Sequence, residues 1–375
     1  MSSFLNYLAS TKRTLASQRH MGLHVVLSNE ACDLDSAVSA TVYAFLLNSL
    51  QQKAYVIPMP MSVIPVLNIA REEYSLKTEV VYWLGKYEIH PDILIFRNEI
   101  DLTKQHEIGL KLTLVDHHVL PPLDAHLDPD IVFIIDHRKL ERTAVSVSGG
   151  MVVEPVGSCC TLVTEQILDK DSSVLKDNTI ASLLYGTIVL DTVNFNEAAK
   201  KMTPKDVRMY NTLCFSLTTL LSKDRVFQDL VEAKTNVSGL TSEQLLRKDV
   251  KVVSSEDFRI GIASVPMMVK DYLQRKDVGR DLSKHCCRQD YQILVILGAN
   301  HTNETIYRDM AVFSTQIDLR DELVLHLCNA EDRRLQLQPM GVNILGCSTF
   351  LQGNTAASRK VILPYVKDWL AKQNI

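Results

Sequence analysis

Residues 112–118 read LTLVDHH, and residues 131–138 read IVFIIDHR. In each, a mostly apolar run ends abruptly on Asp-His. A short run of that kind, bounded by polar residues, is the signature of a strand buried on both faces. An earlier segment has the same form, where HVVLS at 24–28 passes into NEACDLDS at 29–36. Residues 36–47 (SAVSATVYAFLL) then read as a helix, as do residues 161–168 and 179–190. Strands separated by helices predict an α/β domain, a mostly parallel sheet with helices on both faces. Residues 54–57 and 93–96 (ILIF) are further strand candidates.

The chain has 375 residues, more than one typical domain needs, so a second domain is expected. Pro204 and the polar stretch 222–238 mark the break. This gives a catalytic domain at 1–220, a linker at 221–236 and a smaller α/β domain at 237–375, with the active site expected in the cleft between them. A helix at 242–249 (SEQLLRKD) and strands at 260–265 and 293–297 belong to the second domain. A Gly- and Asn-containing segment at 353–354 is expected to be mobile.

Hydrophobic residues at 46% and charged residues at 22% are ordinary for a soluble globular protein. A net charge of −4 argues against a general nucleic-acid binder. No apolar run approaches the roughly 20 residues of a membrane helix. The eight cysteines include no CxxC, and the adjacent pairs Cys159–Cys160 and Cys286–Cys287 suit neither zinc nor a disulfide, so a reducing compartment is expected. The first 29 residues carry Lys12, Arg13 and Arg19 but no acid. That opening fits an amphipathic helix of a cytoplasmic protein, with a mitochondrial targeting segment as the alternative.

An Asp at a strand end is usually a turn former or a helix cap. Here the pattern repeats: Asp33 and Asp35 follow the first strand, Asp116 and Asp136 the next two, and Asp191 closes the apolar run LLYGTIVL. In an open α/β sheet such ends converge on one crevice. Carboxylates gathered there would repel and raise one another's pKa unless a cation shared them. Carboxylates with one or two imidazoles suit Mn²⁺ or Mg²⁺ better than Zn²⁺.

These segments resemble the signature motifs of the DHH phosphoesterase family. NEACDLDS, LVDHH, IDHR, Asp191 and GSCCTLVTEQIL at 157–168 follow the family's order. SGLTSEQLLRKD and LQGNTAASRK place the resemblance in the branch of prune-like proteins and short-chain exopolyphosphatases, with a second domain of DHHA2 type. The resemblance implies two divalent cations per site. Asp33 would bind the first, Asp35, His137 and Asp191 the second, and Asp116 would bridge them. His117 and His118 would orient ligands or the attacking water from behind the metal ligands. Asn29, Arg138, Lys251, Arg359 and Lys360 would hold the substrate.

Family II pyrophosphatases begin the first motif with a metal-binding His, whereas this chain has Asn29. The exopolyphosphatase branch shares that Asn, which implies polyphosphate over pyrophosphate. Arg138 replaces a commoner His, and a guanidinium clamps phosphate oxygens but exchanges no proton near neutrality. The expected activity is hydrolysis of phosphoanhydride bonds in short inorganic polyphosphates. A cyclic-nucleotide phosphodiesterase, cleaving cAMP, is the enzymatic alternative. A regulatory protein with weak catalysis and signalling partners is the alternative of a different class. The chain ends at Ile375, shortly after Arg359-Lys360, which weakens that last reading.

Overall fold

The computed structural model describes residues 3–17, 22–54, 61–140, 147–219, 222–256, 258–302, 305–330 and 334–373. It divides into two compact units, Met1–Asn236 and Val237–Ile375.

In the first unit the elements are α1 (Ser3–Ala16), β1 (Leu23–Leu27), α2 (Leu34–Ala54), β2 (Ser62–Val66), α3 (Thr78–Gly85), α4 (Leu102–Ile108), β3 (Leu110–Val115), β4 (Ile131–Asp136), β5 (Met151–Val153), α5 (Cys159–Asp171), α6 (Asn178–Asp191), α7 (Pro204–Ser216) and α8 (Lys223–Thr235). The sheet runs β2-β1-β3-β4-β5 with every pairing parallel. Alternate side chains serve opposite faces. Val26, Val115 and Ile135 join the core under α2, α5 and α6, whereas Val25, Leu112 and Leu114 face Leu102 of α4 and Leu127 of a 3₁₀ segment, Pro122–Asp130. Each such buried aliphatic chain contributes roughly 1.5–3 kcal/mol. The acid-free opening forms α1, which buries Phe4, Leu5, Tyr7 and Leu8 in the same core.

Three local expectations are corrected, and a fourth falls mostly outside the described residues. Residues 93–96 form no ladder strand: a 3₁₀ turn, Pro91–Ile93, leads to a single bridge between Leu67 and Phe96. Of 54–57, Ala54 ends α2 and the rest lies outside the described residues. The strand beside β1 is β2, whose Pro65 hides it from a propensity reading. The linker stretch carries α8 instead, because Val226 and Leu230, four apart among charges, bury one helix face in the first unit's core. The turn at 353–354 is tied down, with Gln352 Nε2 donating to the carbonyls of Asn354 and Ala357 and Asn354 Nδ2 donating to that of Arg334.

The second unit contains α9 (Ser242–Lys248), β6 (Val250–Ser254), β7 (Arg259–Val265), α10 (Val269–Tyr272), α11 (Val278–Gln289), β8 (Ile293–Thr302), β9 (Thr305–Phe313), α12 (Ile317–Asn329), β10 (Leu337–Pro339), β11 (Cys347–Gln352) and α13 (Arg359–Gln373). Its sheet runs β10-β11-β9-β8-β7-β6, antiparallel except for β7 beside β8. Ala263, Leu294 and Ile296 pack with Leu245 and Leu282 on one face, while Ile262, Ile293 and Val295 pack with Leu323 and Trp369 on the other. Among the described residues no helix is long and apolar enough to cross a membrane.

Candidate metal centre

The strand order reverses direction between β1 and β3, which opens a crevice beyond their carboxyl ends. Asp35 lies in the first turn of α2, Asp116 directly follows β3, and His137 directly follows β4. One ligand atom from each lies within 4.8 Å of the other two.

His137 is oriented from behind: its Nδ1 lies 3.0 Å from the Val156 carbonyl oxygen, a position in which it donates. Its Nε2 then faces Asp116 Oδ1 at 3.1 Å and Asp35 Oδ2 at 3.8 Å. An imidazole pinned through one nitrogen by a carbonyl is the usual arrangement of a metal-ligating His.

Asp116 occupies the left-handed region with φ 61°, which Asp and Asn tolerate better than other side chains. Its N–H donates to the Ile135 carbonyl at 2.8 Å. The Asn29 amide donates to its Oδ2 and to its carbonyl oxygen. Oδ1 is buried and receives no well-directed hydrogen bond.

Asp35 is held by the start of α5. Ser158 Oγ donates at 2.7 Å, and the N–H groups of Cys159 and Cys160 donate at 2.6 and 2.8 Å. A helix N-terminus suits a carboxylate because its N–H groups lack partners and carry partial positive charge. Ser39 Oγ also lies 3.5 Å from Oδ1, so the spare acceptor position is on Oδ2, which accepts from Cys159 alone and also faces His137.

Asp33 and Asp191 line the same cavity, about 670 Å³, together with Arg138. Asp33 accepts from the Ser36 N–H at 3.1 Å. Asp191 Oδ2 is buried without a partner. Burial and the neighbouring Asp35 push the Asp33 and Asp191 carboxyls above the usual range. Burial raises Asp116 as well, opposed by the His137 contact and reinforced by Asp35 and Asp33. For His137, burial favours the neutral ring, but Asp116 and Asp35 outweigh it and raise its pKa. Carboxyls whose pKa values burial and their neighbours raise, beside buried oxygens without partners, fit a site completed by a divalent cation. The oxygen-rich donor set matches Mn²⁺ or Mg²⁺, since the thiols of Cys159 and Cys160 are buried and held protonated.

None of Asn29, His117 and His118 lines the cavity. Asn29 is 4% exposed and its amide is occupied with Asp116, so its place is behind the carboxylate. His117 Nδ1 contacts the Val115 carbonyl at 3.0 Å, its Nε2 is buried without a partner, and burial lowers its pKa to about 4. His118 pairs through Nδ1 with the fully buried Asp136. Arg138 does reach the cavity, with Nη2 3.8 Å from Asp116 Oδ1 and its side chain 52% exposed.

The remaining cations belong to the second unit. Arg359 donates to the Asp249 carbonyl at 2.8 Å and to its Oδ1 at 2.6 Å. Lys251 on β6 and Lys360 on α13 are exposed.

Residues 228–369 match the family model described as the DHHA2 domain. Over 369 residues the chain is 40% identical to Exopolyphosphatase PRUNE1 of Mus musculus, covering 98% of this chain and 79% of that protein. The chain belongs to the DHH family, in its prune-type branch. More distant similarity reaches a manganese-dependent inorganic pyrophosphatase of Methanothrix thermoacetophila, 25% identical over 65% of this chain and 70% of that protein. A cobalt-dependent inorganic pyrophosphatase of Clostridium perfringens is 27% identical over 38% of this chain and 25% of that protein.

Sequence reasoning missed two parts of this prune-type site. Asp206 is fully buried and accepts from the Gly157 N–H at 2.9 Å, Thr161 Oγ1 at 2.6 Å and the Thr203 N–H at 2.7 Å. Gly157 must be glycine, because a Cβ there would meet the Lys201 carbonyl at 2.6 Å. Thr203-Pro-Lys-Asp206 is a capping-box pattern, so the helix start was legible and the tie to Gly157 was not. The second part is basic: Lys200, Lys201 and Lys234 also line the cavity.

Proposed function

We propose that this chain hydrolyses phosphoanhydride bonds of short inorganic polyphosphates, using two divalent cations, Mn²⁺ or Mg²⁺, held in the first unit. The observation that carries the reading is the convergence of Asp35, Asp116 and His137 at the sheet's switch point. The names of the relatives support the same chemistry, since they are exopolyphosphatases and metal-dependent pyrophosphatases.

In this reading Asp33, Asp35, Asp116, His137 and Asp191 would hold the cations, and Asp116 would serve both. When bound, such cations neutralise phosphoryl charge and acidify water for in-line attack. The α5 N-terminus fixes Asp35 through the Ser158 hydroxyl and the Cys159 and Cys160 N–H groups. The Val156 carbonyl keeps the His137 proton on Nδ1, so that Nε2 presents its lone pair. The Asn29 amide holds Asp116 Oδ2, turning Oδ1 toward the cavity. Arg138 binds phosphate oxygens, and Lys251, Arg359 and Lys360 are assigned to the substrate as well. His117 and His118 support the carboxylate loop from behind rather than touch the reacting atoms.

Purified protein is assayed for phosphate release from pyrophosphate, tripolyphosphate and tetrapolyphosphate, and for cleavage of cAMP, with Mn²⁺, Mg²⁺, Co²⁺ or EDTA. The expected result is metal-dependent phosphate release that EDTA abolishes, with cAMP left intact. Cleavage of cAMP alone would replace this reading with the phosphodiesterase. Phosphate release that persists in EDTA would end the metal assignment.

A further inference from the structure

Three of the cavity's lining residues are lysines that the metal chemistry does not use. Lys200 and Lys201 come from the loop between α6 and α7, and Lys234 from the last turn of α8. Among the described residues, no salt bridge involves any of the three. Lys205, at the start of α7, behaves differently and pairs with both Glu154 and Glu165.

The loop that presents Lys200 and Lys201 is held in a costly conformation. Val193, Asn194, Phe195 and Lys200 all have φ between 52° and 60°. A β-branched residue such as Val193 is rarely found there, and strain of this kind persists only where surrounding contacts enforce it. Those contacts are present. Asn194 Nδ2 donates to Asp224 Oδ1 at 2.8 Å, Lys223 Nζ donates to the Asn194 carbonyl at 3.2 Å, and the Phe195 ring meets Tyr210 edge-on at 4.8 Å. Downstream, Asp206 fixes Thr203 and Gly157, and Gly157 lies against the Lys201 carbonyl. Lys234 lies close enough to Asp33 to act on its charge. All three lysines are exposed and so open to a ligand in the cavity they line.

We infer that Lys200, Lys201 and Lys234 form a basic wall that binds the phosphoryl groups of a linear oligophosphate beyond the pair being cleaved. The inference rests on the hydrolase reading and specifies its substrate as a chain of three or more phosphates. Pyrophosphate places both its groups at the carboxylate-bound cations and gains little from the wall. Each further phosphate adds negative charge that the wall neutralises.

The test compares wild-type protein with K200A/K201A, K234A and the charge-preserving K200R/K201R. With Mn²⁺, kcat/KM is measured for pyrophosphate, tripolyphosphate and tetrapolyphosphate. The alanine variants should lose about threefold on pyrophosphate and about tenfold or more on tetrapolyphosphate, with bound Mn²⁺ unchanged and the arginine variant near wild type. An equal loss on all three substrates, or none, would overturn the wall. Calorimetric binding of imidodiphosphate and diimidotriphosphate to the Mn²⁺-loaded protein separates the two readings. If wild type cleaves none of these substrates the hydrolase reading fails, and the wall then stands or falls on whether the lysine substitutions weaken the longer analogue more than the shorter.

Discussion

Asp206 shows how one buried carboxylate can organise a site it never enters. Its donors belong to Gly157, just before the helix that holds Asp35, and to Thr203, just after the lysine loop. Asp206→Ala leaves several buried donors unpaired at once, with an expected cost of about 2–4 kcal/mol. Denaturant unfolding measures this, and a change below about 0.5 kcal/mol, typical of surface substitutions, would remove Asp206 from the role given it. At this scale the sequence was legible where chemistry repeats. Asp33, Asp35, Asp116, His137 and Asp191 line one crevice because each follows a strand or closes an apolar helix. It was illegible where direction matters. His117 and His118 follow the same strand as Asp116, yet the turn at Asp116 sends one ring to the Val115 carbonyl and the other to Asp136. Nor can the lysines be read from sequence, since nothing in AAKKM distinguishes them from solvated surface residues.

At the scale of elements, α6 carries Asp191 at its carboxyl end and must lie close against α3. Gly186 makes that possible: a Cβ there would fall 2.2 Å from Trp83 Cζ2. The fully buried Trp83 also donates through Nε1 to the Leu183 carbonyl at 3.3 Å. Replacing Gly by Ala in a helix ordinarily stabilises by about 0.5–1 kcal/mol. Gly186→Ala is expected instead to destabilise by about 1–3 kcal/mol through overpacking, read as a lowered melting temperature. A raised one would show that the α3–α6 contact yields easily. The strands β1, β3 and β4 and the helices α2, α5 and α6 were legible because their apolar runs are long and uninterrupted. Strand β2 was not, for Pro65 lies within it, and α8 was not, because its buried face amounts to Val226 and Leu230 among charges.

For the whole molecule, the site couples folding to pH and to metal. Burial holds Asp33, Asp116 and Asp191 above the unfolded carboxylate value of about 4. A raised carboxyl pKa contributes stability below that value and loses it as pH rises through the folded pKa, because the folded state must give up protons that it binds better. Metal-free protein should therefore lose melting temperature as pH rises from 5 to 8, and Mn²⁺ should restore more of it at pH 8 than at pH 5, since ions and protons compete for the same oxygens. Thermal scans in EDTA and in Mn²⁺ measure both. Equal Mn²⁺ stabilisation at the two pH values would place the ions on other residues.

One substitution isolates the proposed sharing of both cations by Asp116. Asn tolerates the left-handed backbone at this position as Asp does, so Asp116→Asn keeps the turn and removes only the charge and one good ligand oxygen. Phosphate release from tripolyphosphate and bound Mn²⁺ are measured on the same sample, with folding verified by circular dichroism. The account expects folded protein, loss of at least one of two bound ions, and activity lower by a factor on the order of 10³ or more. Near-wild-type turnover with both ions still bound would contradict the bridge and the mechanism built on it.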